Sequence, residues 1–234
     1  MMMSLIVHIQ DHAFQAMLIA SIETFPTSFI PLDGSENIRK KNKRHDGEAM
    51  GLLFGQRFVK GEHLIFNVCL AVTMQATQRA AEGVSYSRFH FERIREVTES
   101  FPNLEFLGAF HSHPWLKKDY NQTATAPSEA DEATAIFSAS EHGNELLEVI
   151  LGITALSRNS NRSAKASEHS IDSYCGRYKY RLSAYCTVGT VIEEDCSDLD
   201  DSEEATDQET EEIGLWPIDQ LICPLAAHGG AIFT

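Results

Sequence analysis

The sequence has no paired cysteines, no long apolar run and no recognisable targeting segment. Its five cysteines are an odd number without a Cys-x-x-Cys pair, and a chain of 234 residues does not depend on disulfides for stability. No apolar stretch reaches the length of about 18 residues that spans a bilayer. The N-terminus lacks the basic residues and the uninterrupted apolar core of a signal peptide. We therefore expect a cytoplasmic protein with no membrane partner.

The sequence also lacks an excess of positive charge. It has 34 acidic and 19 basic side chains, and its formal charge is −15. Twelve of the acids lie within residues 193–212, which contain no Lys or Arg, so the remainder has 22 acids against 19 bases. This balance does not attract nucleic acid, and we expect no nucleic-acid partner. Residues 190–213 are predicted to be an acidic linker, and the basic cluster at 39–44 is interpreted as part of an exposed loop.

Helical and strand periodicities alternate through residues 4–188. The predicted strands are 4–9, 49–59, 63–72, 104–113, 145–156 and 170–188, and the predicted helices are 11–25, 89–98 and 128–141. Residues 73–86 are predicted to be a loop. This order indicates an α/β or α+β layered domain.

The predicted domain spans residues 1–189 and contains polar insertions at 31–47, 115–127 and 157–168. After the acidic linker, residues 214–234 are apolar again. A peptide of this length is too short for a second folded domain. We expect it to dock, either on its own domain or on a partner.

Two histidines are placed to bind a metal at the end of a strand. The string Gly-Ala-Phe-His-Ser-His-Pro ends an apolar run, and alternate side chains of a strand point to the same side. His111 and His113 would therefore project together. An isolated His-x-His pair is more often incidental than metal-binding, so a third ligand is needed to complete a site.

The best third ligand is a carboxylate at the start of the helix predicted at 128–141. A catalytic zinc ion takes three protein ligands, commonly imidazoles with one carboxylate. Asp131 lies in Pro-Ser-Glu-Ala-Asp, where Ser128 and Asp131 also form the Ser-x-x-Asp pattern of a helix cap, and the two roles are compatible. Asp119, nearer in sequence but inside a polar loop, is the alternative ligand.

An activated water molecule also needs a general base, and Glu48 is the candidate. It precedes an apolar strand in Glu-Ala-Met-Gly-Leu-Leu-Phe-Gly, whose Gly51 and Gly55 allow close backbone approach. Taken alone, a glutamate at such a position is more often an exposed acid at the end of a loop than a general base.

Together these segments resemble the JAMM, or MPN-plus, family of zinc metallopeptidases. The shared pattern is Glu-x-x-Gly-Leu-Leu-x-Gly, then His-Ser-His-Pro, then Pro-Ser-x-x-Asp, in this order within residues 4–156. The resemblance implies a cytidine-deaminase-like three-layer sandwich, in which a curved mixed sheet is flanked by helices. Seventeen residues separate His113 from Asp131, more than the family pattern has, and we interpret the excess as a loop at the rim of the site.

The same resemblance implies a function. His111, His113 and Asp131 would bind one zinc ion (Zn²⁺), Glu48 would activate water, and Ser128 would help to stabilise the oxyanion. The implied substrate is the amide bond at the C-terminus of a ubiquitin-like protein, in a conjugate or a precursor. The form of the Glu48 motif is similar to that of members encoded beside bacterial ubiquitin-like conjugation enzymes, some of which act in antiphage defence. Activating and conjugating enzymes are then expected partners.

Two alternatives belong to other functional classes. A non-catalytic MPN scaffold would keep the fold and use it for assembly, although such relatives usually lose the metal ligands. A metal-dependent phosphoesterase can also contain His-x-His, but it usually needs further His and Asp ligands. The other histidines of this chain form no second motif.

Overall fold

The structure, a computed structural model, describes residues 3–30, 47–74, 77–80, 83–143, 145–192 and 210–227. In these ranges the strands are β1 (Ser4–Ile9), β2 (Met50–Lys60), β3 (His63–Thr73), β4 (Thr77–Ala80), β5 (Gly83–Tyr86), β6 (Glu105–Trp115), β7 (Leu147–Ala155), β8 (Lys165–Ala166), β9 (Ser170–Cys175), β10 (Tyr178–Ile192), β11 (Thr210–Pro217) and β12 (Gln220–Ile222). The helices are α1 (Asp11–Glu23), α2 (Arg88–Glu99), α3 (Glu129–His142) and α4 (Pro224–Ala227). None of these helices is long and apolar enough to cross a membrane.

Ten of the strands form one strongly curled mixed sheet. Its order is β12-β1-β3-β2-β6-β7-β10-β9-β8, and β11 pairs with the second half of β10. The pairs β1–β12, β1–β3 and β6–β7 are parallel, and the other neighbours are antiparallel. The predicted mixture of helices and strands in one layered unit is therefore confirmed at the level of α+β.

The two faces of the sheet bury different sets of side chains. The first, named the core face, includes Leu53 of β2, Phe110 of β6 and Val149 of β7, and it packs against Phe14 and Met17 of α1. The opposite side of the sheet is named the site face. The residues that alternate with the core-face residues along the same strands point to it. Helices therefore cover both faces, because α2 packs on the site face.

On the site face, β2 contributes a smaller apolar cluster. Leu52 and Phe54 alternate with Leu53 and pack with Phe91 of α2 and with Met74. The phenyl ring of Phe91 also stacks on the imidazole of His142, at the end of α3. This cluster packs α2 and the C-terminal end of α3 against the central strand β2.

The C-terminal segment is part of the core. β12 pairs in parallel with β1, and Ile218, Leu221, Cys223 and Ala226 are buried in the cluster on the core face. The sequence left open whether this peptide docks on its own domain or on a partner, and its described part docks on its own domain. Residues 190–192 and 210–213, predicted as linker, belong to β10 and β11.

Two other sequence predictions were wrong. Residues 73–86 were predicted as a loop but contain the hairpin of β4 and β5. Residues 170–188 were predicted as one strand but form two antiparallel strands, β9 and β10, which reverse at Gly176. Gly176 has a φ of 57°, a left-handed conformation that glycine adopts readily and that a tight turn requires. The insertion at 31–46 and the acidic residues 193–209 lie outside the described part of the chain.

Candidate metal centre

The direction of His111 and His113 is set by a bulge in β6. Leu107 faces the core face, so strict alternation would direct residues 109, 111 and 113 into the same apolar cluster. Instead, the pairing with β2 skips one residue: Leu53 opposes Gly108, and Phe54 opposes Phe106. The extra residue shifts the alternation, so Phe110 enters the core face and the two histidines point to the site face.

Gly108 makes this bulge sterically possible. Its φ is 142°, and a Cβ atom there would lie 2.0 Å from the carbonyl oxygen of Leu147 on the neighbouring strand. Any larger residue would have to move one of the two strands. The glycine is therefore a geometric requirement for aiming both imidazoles at the site.

Asp131 reaches the site from the first turn of α3. The predicted helix cap is confirmed: the Asp131 backbone N–H donates to the Ser128 Oγ (3.2 Å), and the Ser128 backbone N–H donates to Asp131 Oδ2 (2.7 Å). The Ser128 hydroxyl also donates to Asp131 Oδ2 (2.8 Å). These bonds fix the carboxylate, whose oxygens lie 3.4 Å from His111 Nε2 and 3.5 Å from His113 Nε2.

Three potential ligands thus converge. One ligand atom from each of His111, His113 and Asp131 lies within 4.8 Å of the other two, and the two imidazole Nε2 atoms are 2.8 Å apart. Asp119, the alternative ligand, is exposed and lies outside this group among the described residues. The structure therefore brings Asp131, rather than Asp119, to the histidines.

Glu48 lines the same cavity, two residues before β2 begins. Its neighbours are anchored on both sides: the Gly47 N–H donates to the Thr24 carbonyl (2.8 Å), and the Ala49 N–H donates to the Ser112 hydroxyl (2.8 Å). Burial raises the pKa of the Glu48 carboxyl, the two histidines oppose this shift, and Asp131 adds to it. Glu48 is therefore a weaker acid than an exposed glutamate, which suits a group that exchanges protons.

A third carboxylate of the site was not predicted from the sequence. Glu148 Oε1 lies 2.6 Å from His111 Nδ1, on the side of the imidazole opposite to Nε2. The only signal for it in the sequence is a lone acid within the apolar strand Leu147–Ala155. An acid in such a run has to find a hydrogen-bonding partner, because an unpaired buried charge is costly.

The carboxylates give the site a negative field. Burial alone would lower the pKa of His111, but hydrogen bonds and charges of Asp131 and Glu148 raise it to about 10. Burial would raise the pKa of Asp131, and the hydrogen bonds to His111 and His113 instead hold it well below its usual range. The arrangement therefore favours a positive charge between these groups.

The site opens into a cavity of about 840 Å³. Besides the groups above, the described residues around it are mostly apolar or small, and they include no Lys or Arg. One wall is the face of α3 that carries Ala130, Thr134, Ala135 and Ser138. Three carboxylates and two imidazoles therefore share the cavity, without Lys or Arg among its described lining residues.

The predicted insertion at 115–127 packs on the site face. The Trp115 indole N–H donates to the Ala124 carbonyl (2.9 Å), and the Tyr185 hydroxyl donates to the Thr125 carbonyl (2.8 Å). The Thr125 and Ser183 hydroxyls bond each other (2.7 Å), and the Arg181 guanidinium donates to the Gln122 carbonyl. The loop is therefore fastened to β10 directly before α3, so it helps to fix the position of Asp131.

The donor set fits zinc. Two imidazole nitrogens and one carboxylate are the mixture found in catalytic zinc sites with three protein ligands. The described lining contains no Lys or Arg, so the imidazoles are its only basic side chains beside the three acids. No protein-family model matches the chain, and no curated protein matches it.

Proposed function

We propose that this protein is a zinc-dependent peptidase of the JAMM type that cleaves the amide bond at the C-terminus of a ubiquitin-like protein. The observation that carries the proposal is the convergence of His111, His113 and Asp131 in a cavity that also contains Glu48 and Ser128. The motif order in the sequence and the position of each side chain agree. A scaffold would have no use for this arrangement.

His111, His113 and Asp131 would hold the zinc ion. When bound, zinc supplies a Lewis acid that polarises the scissile carbonyl and lowers the pKa of a water molecule. The Glu48 carboxylate would accept a proton from the attacking water and deliver it to the departing amine nitrogen. The burial that raises the pKa of Glu48 supports both transfers, because a general base works best when its pKa is close to the working pH.

Ser128 and the N-terminus of α3 would stabilise the negative charge that develops on the carbonyl oxygen. Ser128 is the N-cap of α3, where backbone N–H groups and the helix dipole favour negative charge. Its hydroxyl borders the cavity and donates its single proton to Asp131 Oδ2 in this structure, so the proton would have to turn to the carbonyl oxygen in the reaction. Loss of a single oxyanion donor typically lowers turnover about 100-fold to 1,000-fold.

The negative charge of the cavity favours a substrate whose reacting group is uncharged, such as an amide. Phosphate esters would meet three carboxylates and, among the described lining residues, no Lys or Arg. This disfavours the phosphoesterase alternative. A peptide in extended form has no such conflict, and small residues of α3 leave room for its backbone.

The finer identity of the fold and pathway rests on the motif resemblance. The mixed sheet with helices on both faces is compatible with a cytidine-deaminase-like three-layer sandwich, which we propose as its class. The proposed setting is a bacterial ubiquitin-like conjugation system, including those of antiphage defence. Its activating and conjugating enzymes are the proposed partners, and the cytoplasm is the proposed compartment.

The test combines metal content with cleavage. We expect about one zinc per chain by elemental analysis, and release of a C-terminal reporter fused to a bacterial ubiquitin-like protein. Glu48→Gln should abolish cleavage and keep zinc, because Glu48 is not one of the three converging ligands. Absence of stoichiometric zinc from the full-length protein would overturn the proposal, and unchanged cleavage by Glu48→Gln would overturn the role of Glu48.

A further inference from the structure

Glu148 lies beside the candidate metal centre and contacts one of its proposed ligands. Its Oε1 lies 2.6 Å from His111 Nδ1, and the two side chains are only 12% and 7% exposed. It contacts the Nδ1 edge of the His111 ring, whereas His113 and Asp131 lie at the Nε2 edge. Glu148 therefore touches a ligand of the proposed zinc ion without joining the group of ligand atoms.

The parallel pairing of β6 and β7 explains how Glu148 reaches His111. In this register Ala109 is opposite Glu148 and His111 is opposite Ile150, and all four side chains point to the site face. Ala109 has only a methyl group, so the longer Glu148 side chain can extend past it to the next residue on that face. The same bulge that turns His111 to the site face also brings it within reach of Glu148.

The hydrogen bond determines which nitrogen of His111 is available. An ionised carboxylate can only accept hydrogen bonds, so His111 Nδ1 must carry the proton in this contact. In a neutral imidazole the lone pair then belongs to Nε2, the atom that faces His113 Nε2 at 2.8 Å and Asp131 Oδ1 at 3.4 Å. A carboxylate at this place also fixes the rotation of the ring and raises the basicity of Nε2.

A carboxylate at position 148 has no evident role in stabilising the fold. It interrupts a strand whose other described residues are apolar or small, apart from Thr154. Glu145, three residues earlier, forms an ion pair with Arg57 near the surface, whereas Glu148 bonds a histidine. An apolar residue would suit the strand better if fold stability were the sole requirement, because a buried carboxylate is costly to desolvate.

We propose that Glu148 is a positioning residue, which holds His111 with its Nε2 directed at a divalent cation. This inference rests on the proposed function, because it requires that the three converging ligands bind a metal. It assigns a role to a side chain outside the motif that carries the resemblance. If Glu148 has this role, its removal should change the metal affinity and the symmetry of the metal site.

The test uses the full-length chain with Zn²⁺ and Co²⁺ as probes. Metal affinity would be measured by competition with a chelator for the wild type, Glu148→Gln, Glu148→Ala and the control Glu145→Gln. Removal of such an outer partner typically weakens metal binding about 10-fold to 100-fold, which we expect for Glu148→Ala. Glu148→Gln keeps an oxygen that accepts from Nδ1–H, so it should restore much of the affinity. Glu145→Gln should match the wild type.

Spectroscopy separates positioning from general damage to the fold. The d–d absorption of the Co²⁺-loaded protein should change in Glu148→Ala and remain close to that of the wild type in Glu148→Gln. In the zinc-loaded wild type, ¹⁵N–¹H correlation spectra of the histidine rings should show His111 protonated at Nδ1. This last measurement needs no variant, so it tests the inference even if Glu148→Ala does not fold.

The outcomes distinguish the inference from the function on which it rests. If the wild type binds metal but Glu148→Ala has the same affinity and Co²⁺ spectrum, the positioning role is overturned and the zinc peptidase proposal stands. Protonation of His111 at Nε2 in the zinc-loaded protein would have the same meaning. If the wild type binds neither Zn²⁺ nor Co²⁺, both proposals fail.

Discussion

The two faces of the central strands differ in what they contribute. On the core face, β7 contributes Val149, Leu151 and Ile153, which are fully buried among apolar neighbours. On the site face, the same strand contributes Glu148 and Gly152, beside the histidines and the loop that precedes α3. One strand therefore stabilises the protein with one set of side chains and arranges the candidate site with the other. Which side chains reach which face depends on how residues alternate along each strand. In β6, one bulge sets this alternation.

The strongest test of this division is Gly108→Ala. The new Cβ atom would meet the Leu147 carbonyl oxygen at 2.0 Å, and φ at this position is unfavourable for alanine. Strain and overpacking together predict a loss of about 2–5 kcal/mol in the free energy of unfolding. Urea denaturation measures it, and zinc content should fall as well, because the histidines lose their direction.

Gly61→Ala is the matched control for Gly108→Ala. Gly61 also has a positive φ, of 63°, but no atom lies within 4 Å of the position its Cβ would occupy. Only the backbone penalty of about 1–2 kcal/mol applies there. Equal losses from the two substitutions, with zinc retained in both, would contradict the role given to the bulge.

The second test compares Asp131 of α3 with Asp119 of the loop that precedes it. Asp131→Ala removes one of three converging ligand atoms, so zinc affinity should fall by more than about 100-fold, the upper effect of an outer partner. Asp119→Ala changes an exposed side chain of the loop and should leave affinity unchanged. Chelator competition on the two purified variants gives the answer. A loss of zinc from Asp119→Ala alone would reverse the assignment.

The third test concerns the C-terminal segment, which packs on the core face. Leu221 is 5% exposed and packs in the core cluster, whereas its neighbour Ile222 is 38% exposed. Leu221→Ala should lower the free energy of unfolding by about 2–4 kcal/mol, and Ile222→Ala should have a much smaller effect. If thermal or urea unfolding were the same for both variants, the C-terminal peptide would not be part of the core in solution.

The smallest expected effect is a difference in thiol reactivity. Burial raises the pKa of Cys186 and of Cys223 to about 12, so at pH 8 both remain thiols and are shielded from solvent. Cys69 and Cys175 are partly exposed, and burial raises the pKa of each by less. Among these four described cysteines, alkylation followed by mass spectrometry should modify Cys69 and Cys175 before the other two. Early modification of Cys186 would contradict its place on the core face.

Local patterns were enough for much of the site. Ser-x-x-Asp before an apolar run predicts a capped helix, and His-x-His predicts two side chains on one side of a strand, because both patterns act over a few residues. Glu148 could not be found in this way. Its role depends on the parallel pairing of β6 with β7, two strands joined through α3, and no pattern within either strand indicates that register.

The sequence by itself determined most of the alternating helices and strands, the capped start of α3 and the identity of the residues that could hold a metal. Only the tertiary structure decided that the apolar C-terminal segment belongs to the core, that Asp131 rather than Asp119 meets the histidines, and that the histidines face the cavity. The physical reason is the range of each interaction. Periodicity and capping are set by neighbours in sequence, whereas the bulge at Gly108 and the pairing of β1 with β12 require partners far away in the chain.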